Sequence, residues 1–149
     1  MHKILLTGSS GFIGYNVLSN FSENNQVYII VRKKPSKKLL RNKNIKVIQF
    51  KNYETLHSKI KKIKVDTVIH CATYYIRNHK FTDIQKLCNS NIFLGNIILE
   101  NLENIKASKF INFSTVWEDS NAKANNPENL YAAYKKSFSI ILNFYKKKL

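Results

Sequence analysis

The sequence predicts an α/β protein whose core is a doubly wound parallel sheet. Two observations carry this prediction: short β-branched apolar runs alternate with longer segments of helical periodicity, and a glycine-rich turn directly follows the first apolar run. Such alternation is typical of βαβ units, in which helices cover both faces of a parallel sheet. We expect about five strands in the order 3-2-1-4-5, within a single domain that covers residues 1–149.

Each predicted strand is a short apolar run, and each predicted helix has apolar residues three or four positions apart. The strands are expected at residues 3–7, 26–32, 45–50, 65–71 and 109–113. The helices are expected at residues 12–21, 53–63, 83–102 and 130–145. The basic stretch 33–44 contains Pro35 and is expected to begin as a loop, and a polar loop is expected at 121–129.

The composition argues against a membrane protein, a metalloprotein and a nucleic-acid-binding protein. No apolar run approaches the roughly 20 residues of a transmembrane helix, and the run after Lys3 is too short for a signal peptide. Cys71 and Cys88 have no CxxC partner and no histidine at metal-ligand spacing, so we expect two reduced thiols and no metal site. The net charge of +16 comes almost entirely from scattered lysines, which favours anionic small molecules over nucleic acid. We therefore expect a cytoplasmic protein.

The clearest motif is the glycine-rich turn TGSSGFIG at residues 7–14, between the first strand and the first helix. Gly8 permits a tight turn, Gly11 lets the backbone approach a pyrophosphate, and Gly14 allows the helix to pack closely on the strand. The helix N-terminus favours the negative charge of that pyrophosphate. At this place in a βαβ unit, the motif predicts a dinucleotide site.

The residues that end the second strand indicate which dinucleotide binds. A carboxylate about 20 residues after the glycines would bind the ribose 2′-hydroxyl of NAD. Arg32, Lys33 and Lys34 stand there instead, and an arginine binds a 2′-phosphate bidentately. We therefore expect NADP(H) to be preferred, with NAD(H) as the alternative.

Two residues of the last predicted helix, Tyr131 and Lys135, form a Tyr-Lys pair suited to acid–base chemistry. They are four residues apart, so they lie on one helix face. The Lys135 ammonium would favour the phenolate and lower the pKa of Tyr131, so that the phenol could exchange a proton with a carbonyl oxygen near neutral pH.

In this order along the chain, several segments resemble the extended short-chain dehydrogenase/reductases. They are the glycine motif, the run DTVIHCA at 66–72, the helix NIFLGNIILE at 91–100 and the Tyr-Lys pair. That family includes NAD(P)-dependent sugar-nucleotide epimerases, dehydratases and reductases, and it implies a Rossmann-type fold. It also implies that the cofactor is bound by Gly8, Ser10, Gly11, Phe12, Ile13, Gly14, Arg32, Ala72, Asn91 and Lys135. By the same resemblance, His70 is structural.

The resemblance further assigns roles in catalysis. Tyr131 would donate or accept the proton. Lys135 would lower the pKa of Tyr131 and hold the nicotinamide ribose. A hydroxyl after the fifth strand would bind the reacting oxygen, and Ser114 and Thr115 are the candidates, with Ser114 favoured. The family often places this hydroxyl three residues before Val116, where Phe113 stands, so the register departs by a residue or two.

Trp117 and the stretch 129–133 most resemble family members that reduce 4-keto sugars linked to CDP and related nucleotides. We therefore expect reduction of a 4-keto nucleotide sugar, as in polysaccharide biosynthesis, while epimerisation and dehydration stay open. Family members continue past the Tyr-Lys helix into further strands and a substrate domain, and we expect both to be absent here. The alternative is thus a non-catalytic NADP(H)-binding fragment or one part of a split enzyme, with a homodimer or a complementing C-terminal fragment as its partner.

Overall fold

The computed structural model describes residues 1–122 and 124–146 and contains one five-stranded parallel sheet. Its strands are β1 (Lys3–Thr7), β2 (Gln26–Val31), β3 (Ile45–Gln49), β4 (Thr67–His70) and β5 (Lys109–Asn112). The order β3-β2-β1-β4-β5 confirms the predicted doubly wound, Rossmann-type topology. The order reverses at β1, which pairs with β2 on one side and with β4 on the other.

β1 occupies the centre of the sheet because both of its faces are apolar. Ile4, Leu5 and Leu6 are at most 1% exposed. Leu5 is in register with Tyr28 of β2 and with Val68 of β4. A strand covered on both faces needs a continuous apolar run rather than alternation, and residues 4–6 supply one.

Helices cover both faces of the sheet. They are α1 (Phe12–Phe21), α2 (Lys37–Leu40), α3 (Tyr53–Ile60), α4 (Ile84–Cys88), α5 (Leu94–Glu100), α6 (Leu102–Ile105) and α7 (Leu130–Tyr145). Leu18 of α1 packs with Leu6 on one face, while Leu56, Ile98 and Phe138 belong to the core on the other. In the part of the chain that the structure describes, none of these helices is long and apolar enough to cross a membrane.

The helix predicted at 83–102 is interrupted rather than continuous. Phe81–Asp83 is a 3-10 turn, and Asn89–Phe93 forms a π-helical turn between α4 and α5. Within that turn, Asn91 Nδ2 donates to the carbonyl of Leu87 at 3.0 Å. This is the carbonyl that the Asn91 backbone N–H would use in an α-helix, so the side chain competes with the ladder. Hydrophobic periodicity does not register such competition.

Smaller differences lie in the loops and at the strand ends. The region predicted to begin as a loop contains the short helix α2, and β2 to β5 are each one to three residues shorter than predicted. Two of the residues predicted in the loop at 121–129 fall within the 3-10 segment Val116–Ala122. Lys123 lies outside the described residues.

β5 is an edge strand of the described sheet, and apolar side chains are exposed on β5 and on α7. Ile111 of β5 is 46% exposed, and Ile140 and Phe144 of α7 are 64% and 69% exposed. An edge strand has backbone groups that another strand could pair with. This edge of the sheet is therefore less covered than its centre at β1.

Candidate active site

The glycine turn brings β1, α1 and the end of β4 into backbone contact. Gly8 has φ of +72°, in the left-handed region that favours glycine, and a Cβ there would lie 2.6 Å from the backbone nitrogen of Ala72. A Cβ on Gly14 would lie 2.1 Å from the Gly8 carbonyl oxygen. The Gly11 N–H donates to that same oxygen at 2.9 Å. Gly8 and Gly14 are thus required by the fold itself.

The first turn of α1 is suited to an anion. Its N-cap is Gly11, which has no side chain that could cap the helix. Within the described residues, no acidic residue lies in the first turn. Backbone N–H groups left without helical acceptors, together with the helix dipole, favour a phosphate at this position. These residues therefore fit the pyrophosphate of a dinucleotide.

A cavity of about 830 Å³ opens in front of this turn. Among its lining residues are Gly8, Ser10, Gly11, Arg32, Lys33, Lys34, Ala72 and Thr73. Of the other residues expected to bind a cofactor, Phe12 is 87% exposed at the start of α1, Ile13 is 48% exposed, and Gly14 is buried against Gly8. The structure therefore gathers most of these residues around one cavity, and cofactor binding by them stays a prediction.

Thr7 joins the end of β1 to the end of β4. Its hydroxyl accepts a hydrogen bond from the Ala72 N–H at 3.0 Å and lies 2.9 Å from His70 Nδ1. The His70 ring lies near the rings of Phe110 and Phe138, at centroid distances of 5.9 and 5.4 Å. Burial lowers the pKa of His70 to about 3, so the imidazole is neutral. A neutral, fully enclosed ring of this kind supports packing rather than proton transfer.

Both members of the Tyr-Lys pair on α7 are buried, Tyr131 to 9% and Lys135 to 4% exposure. Burial raises the pKa of Tyr131; Glu118 acts in the same direction, and a side-chain hydrogen bond with Thr73 opposes it. Burial lowers the pKa of Lys135, against the effects of Glu118 and Cys71. The expected lowering of the Tyr131 pKa is therefore wrong for this structure, because removal of water from the phenol outweighs the groups that favour the phenolate.

Ser114 and Thr115 make their hydrogen bonds within their own segment. The Ser114 hydroxyl donates to the Glu118 carboxylate, and the Thr115 hydroxyl accepts from the Trp117 N–H at 3.4 Å. Glu118 acts electrostatically on both members of the Tyr-Lys pair. The sequence analysis did not single out Glu118, and its only signal there is the four-residue spacing from Ser114.

Asn91 lies beneath the cavity, beside Thr73. Like Glu118, Thr73 was not singled out by the sequence analysis. The Thr73 hydroxyl donates to Asn91 Oδ1 at 2.6 Å. Asn91 itself is 2% exposed. Thr73 follows β4 by three positions, and nothing in its spacing distinguishes it from any other loop threonine.

An aromatic wall, formed by Tyr75 and Trp117, stands next to Tyr131. The two rings of the wall are stacked with centroids 5.4 Å apart. Tyr131 meets Tyr75 edge-on at 5.1 Å and Trp117 at 6.5 Å. Tyr75 is 47% exposed and Trp117 is 36% exposed, so the wall presents apolar surface beside the phenol.

Comparison with known proteins identifies the family. The model of the NAD dependent epimerase/dehydratase family matches residues 4–148. The chain belongs to this family. The family consists of NAD-dependent enzymes, so the glycine turn and its cavity form part of an enzyme fold rather than of an unrelated binding domain.

Several members of the epimerase/dehydratase family can be compared with this chain directly. The dTDP-D-glucose 4,6-dehydratase of Dictyostelium discoideum is 32% identical over 134 residues, which cover 77% of this chain and 29% of that protein. The UDP-glucuronic acid 4-epimerase of Bacillus cereus, solved with UDP-glucuronic acid and NAD, is 25% identical with a TM-score of 0.80, over 97% of this chain and 52% of that one. The UDP-glucose 4-epimerase of Thermotoga maritima, solved with UDP-glucose, has the same fold at 22% identity and a TM-score of 0.81, over 97% and 51%.

These alignments also show how much of a family member is present. The chain spans about half the length of the two epimerases and less than a third of the dehydratase. The part matched by the family model, residues 4–148, contains the glycine turn and the Tyr-Lys pair.

Proposed function

We propose that this chain provides the NADP(H)-binding and proton-donating part of an enzyme that reduces a 4-keto nucleotide sugar. The observation that carries the proposal is the burial of Tyr131 and Lys135 together on α7. Thr73, which lines the cavity of the glycine turn, acts to lower the pKa of Tyr131. The named relatives act on nucleotide-linked sugars, which supports this class of substrate.

In this proposal the cofactor lies in the cavity that Gly8, Ser10 and Gly11 line. The uncapped first turn of α1 would hold its pyrophosphate, and Arg32 would hold a 2′-phosphate. The exposed guanidinium and the two lysines that follow it on the rim of the cavity support NADP(H) over NAD(H). When bound, the nicotinamide would supply the hydride.

Tyr131 would donate the proton to the sugar oxygen as the carbonyl is reduced. Lys135, enclosed beside the end of β4, would hold the nicotinamide ribose and compensate the negative charge left on the phenol. Ser114 or Thr115 would bind the reacting oxygen after exchanging their present partners for it. The aromatic wall beside Tyr131 supports an apolar environment for the sugar carbon skeleton, since it excludes water from one side of the phenol.

The first experiment is a fluorescence titration of the chain with NADPH and NADH in parallel. We expect saturable binding, with NADPH tighter. Tighter binding of NADH would contradict the reductase assignment and favour an epimerase or a dehydratase. If neither binds to a chain that circular dichroism shows to be folded, the proposal is overturned.

The second experiment measures oxidation of NADPH at 340 nm with a 4-keto nucleotide sugar, using the parent chain and Tyr131→Phe. Oxidation by the parent that the variant lacks would support Tyr131 as the proton donor. Equal rates in the two proteins would contradict it. Cofactor binding without turnover would instead favour the second candidate function, a non-catalytic NADP(H)-binding module or one part of a split enzyme.

The second candidate is supported by the exposed apolar surface at β5 and α7. Ile111, Ile140 and Phe144 are each more than 40% exposed, which suits a protein partner better than water. We propose a second copy of the chain, or a complementing C-terminal fragment, as that partner, and the cytoplasm as the place of action. Size-exclusion chromatography with light scattering distinguishes a dimer from a monomer.

A further inference from the structure

The 3-10 segment Val116–Ala122 carries one ring of the aromatic wall, and its backbone leaves helical geometry midway. Asp119 has φ of −132° and ψ of 73°. Asn121 has φ of +55°, in the left-handed region that asparagine adopts more readily than most residues. Because no continuous helical ladder holds this segment, its position depends on the contacts of its side chains and of the chain that follows it.

Asp119 joins this segment to α7. Its two carboxylate oxygens accept from Lys136 Nζ at 2.8 and 2.7 Å, and Oδ1 also accepts from the Asn125 N–H at 2.7 Å. The Lys136 side chain is partly shielded, with 27% of it exposed. Lys136 directly follows Lys135 on α7. The ion pair thus attaches the 3-10 segment to the same helix that carries the Tyr-Lys pair.

Trp117 lies two residues before this ion pair and is in ring contact on two sides. It stacks on Tyr75 at 5.4 Å and meets Tyr131 edge-on at 6.5 Å. Its carbonyl accepts from the Glu128 N–H at 3.0 Å, which closes the loop that contains Asp119. The ring is 36% exposed, so burial alone does not fix it. A ring of this kind needs a further restraint to keep one orientation towards the phenol.

We propose that Asp119 is a positioning residue: through Lys136 it holds the 3-10 segment against α7 and keeps Trp117 in the aromatic wall beside Tyr131. The importance of this position for the reaction rests on the proposed role of Tyr131 as the proton donor. An ion pair with this much exposure adds little to the stability of a whole fold, so its effect is local. Both members lie outside the described lining of the cavity at the glycine turn. Loss of the pair should therefore release the wall without unfolding the domain or weakening NADPH binding.

The test uses Trp117 as its own reporter, because it is the single tryptophan of the chain. Acrylamide quenching of its fluorescence is measured on the full chain, after circular dichroism and urea midpoints show that each variant is folded. Lys136→Met breaks the ion pair and leaves Asp119 bonded to Asn125. Because Trp117 is 36% exposed, complete release could raise its accessibility at most about threefold, and we expect the quenching constant to rise about twofold.

Two matched variants distinguish the ion pair from a general effect of the substitution. Lys136→Arg keeps a cation within reach of Asp119 and should retain the parent quenching constant. Lys146→Met makes the same change just beyond the last residue of α7 and should leave the constant unchanged.

Two further measurements test the pair from its other side. Asp119→Ala should raise the quenching constant at least as much as Lys136→Met, since it also removes the acceptor of the Asn125 N–H. Sodium chloride at about 1 M should raise the constant of the parent towards that of Lys136→Met, because salt screens an exposed ion pair. It should change Lys136→Met little.

An unchanged quenching constant in Lys136→Met and Asp119→Ala would overturn the inference. An equal rise in Lys136→Met and in either matched variant would overturn it as well. In reduction of a 4-keto nucleotide sugar, Lys136→Met should lower kcat and retain the parent affinity for NADPH. An unchanged kcat despite released Trp117 would remove the positioning role.

Failure of the proposed function is seen separately. A parent chain that binds neither NADPH nor NADH would overturn that function, and the quenching constants would still test whether Asp119 holds the wall. Binding and turnover with equal quenching in all variants would leave the function standing and remove Asp119 from it.

Discussion

Gly95 of α5 and Phe138 of α7 are in direct contact, with no room between them for a side chain on residue 95. A Cβ on Gly95 would lie 2.3 Å from Cζ of the Phe138 ring and 3.2 Å from His70 Nε2. Phe138 is fully buried. The distance between the two helices, and with it the place of the Tyr-Lys pair over the sheet, therefore depends on the absence of a side chain at residue 95.

The first prediction concerns this contact. Gly95→Ala should lower the free energy of unfolding by about 1–3 kcal/mol, because overpacking outweighs the better helix propensity of alanine. Urea unfolding followed by circular dichroism measures the change. Phe138→Leu removes the ring from the overlap. Gly95→Ala should therefore cost less stability in the Phe138→Leu background than in the parent. A stable Gly95→Ala would contradict the packing described.

The second prediction separates two glycines of the turn. Gly14→Ala should destabilise the fold by roughly 2 kcal/mol or more, since its Cβ would lie 2.1 Å from a backbone oxygen. Gly11→Ala should leave stability nearly unchanged, because its Cβ would meet the Gly8 oxygen at an ordinary 3.4 Å and its φ of −85° suits alanine. Its effect should instead be a loss of NADPH affinity of about tenfold or more. Normal affinity in a folded Gly11→Ala chain would argue against pyrophosphate binding at this turn.

A third prediction tests the basis of cofactor preference. Arg32→Ser should weaken NADPH binding by about tenfold or more, as expected for loss of a charge-assisted bidentate contact, and should change NADH binding little. Arg41→Ser is the matched control, because Arg41 is also an exposed arginine but does not line the cavity. Parallel fluorescence titrations of the parent and the two variants give the six dissociation constants that are compared. Equal effects of the two substitutions would indicate general electrostatic attraction instead of a 2′-phosphate site.

The fourth prediction is a pH dependence of stability that arises from His70. The pKa of its imidazole is lowered from 6.5 to about 3 by burial, with the Lys135 charge acting in the same direction. The unfolded chain therefore binds a proton that the folded chain does not. The contribution of neutral His70 to the free energy of unfolding is fully present above pH 6.5. It decreases by about 1.4 kcal/mol per pH unit as the pH falls towards 3.

Urea unfolding at pH 7, 6 and 5 checks this dependence against His70→Gln, which has no proton to take up in this range. The variant should be less stable than the parent at pH 7, since it perturbs a buried site. It should lose less stability than the parent between pH 6 and pH 5. Two parallel curves would show that His70 does not contribute.

The bounds of α1 and α7 could be predicted from the sequence because periodicity and local end signals agree there. At the start of α7, Asn129 Oδ1 accepts from the Ala132 N–H at 2.9 Å, which is a capping contact that the sequence itself encodes. The strand order could be predicted because strands alternate with helices and a glycine-rich turn follows the first strand, a pattern typical of doubly wound parallel sheets.

The interruption at Asn91 and the hydrogen bond from Thr73 to Asn91 could not be predicted. Both depend on which carbonyls and hydroxyls meet after the chain has folded, and neither leaves a spacing in the sequence. The pKa of Tyr131 was predicted with the wrong sign because four-residue spacing locates the lysine but gives no measure of burial. The cofactor-binding and catalytic residues themselves stay predictions for the experiments above.

The Thr7 hydroxyl bonds both the Ala72 N–H and the His70 ring. These bonds affect how far the protein backbone would rearrange when a nucleotide binds. The ends of β1 and β4 are already tied together by these hydrogen bonds, so we expect a ligand that binds beside them to order little additional backbone. Binding of this kind loses little protein conformational entropy, and its strength then reflects the contacts made by the ligand itself. Comparison of nucleotides that differ by one group would thus measure the contribution of that group directly, with little interference from rearrangement of the protein.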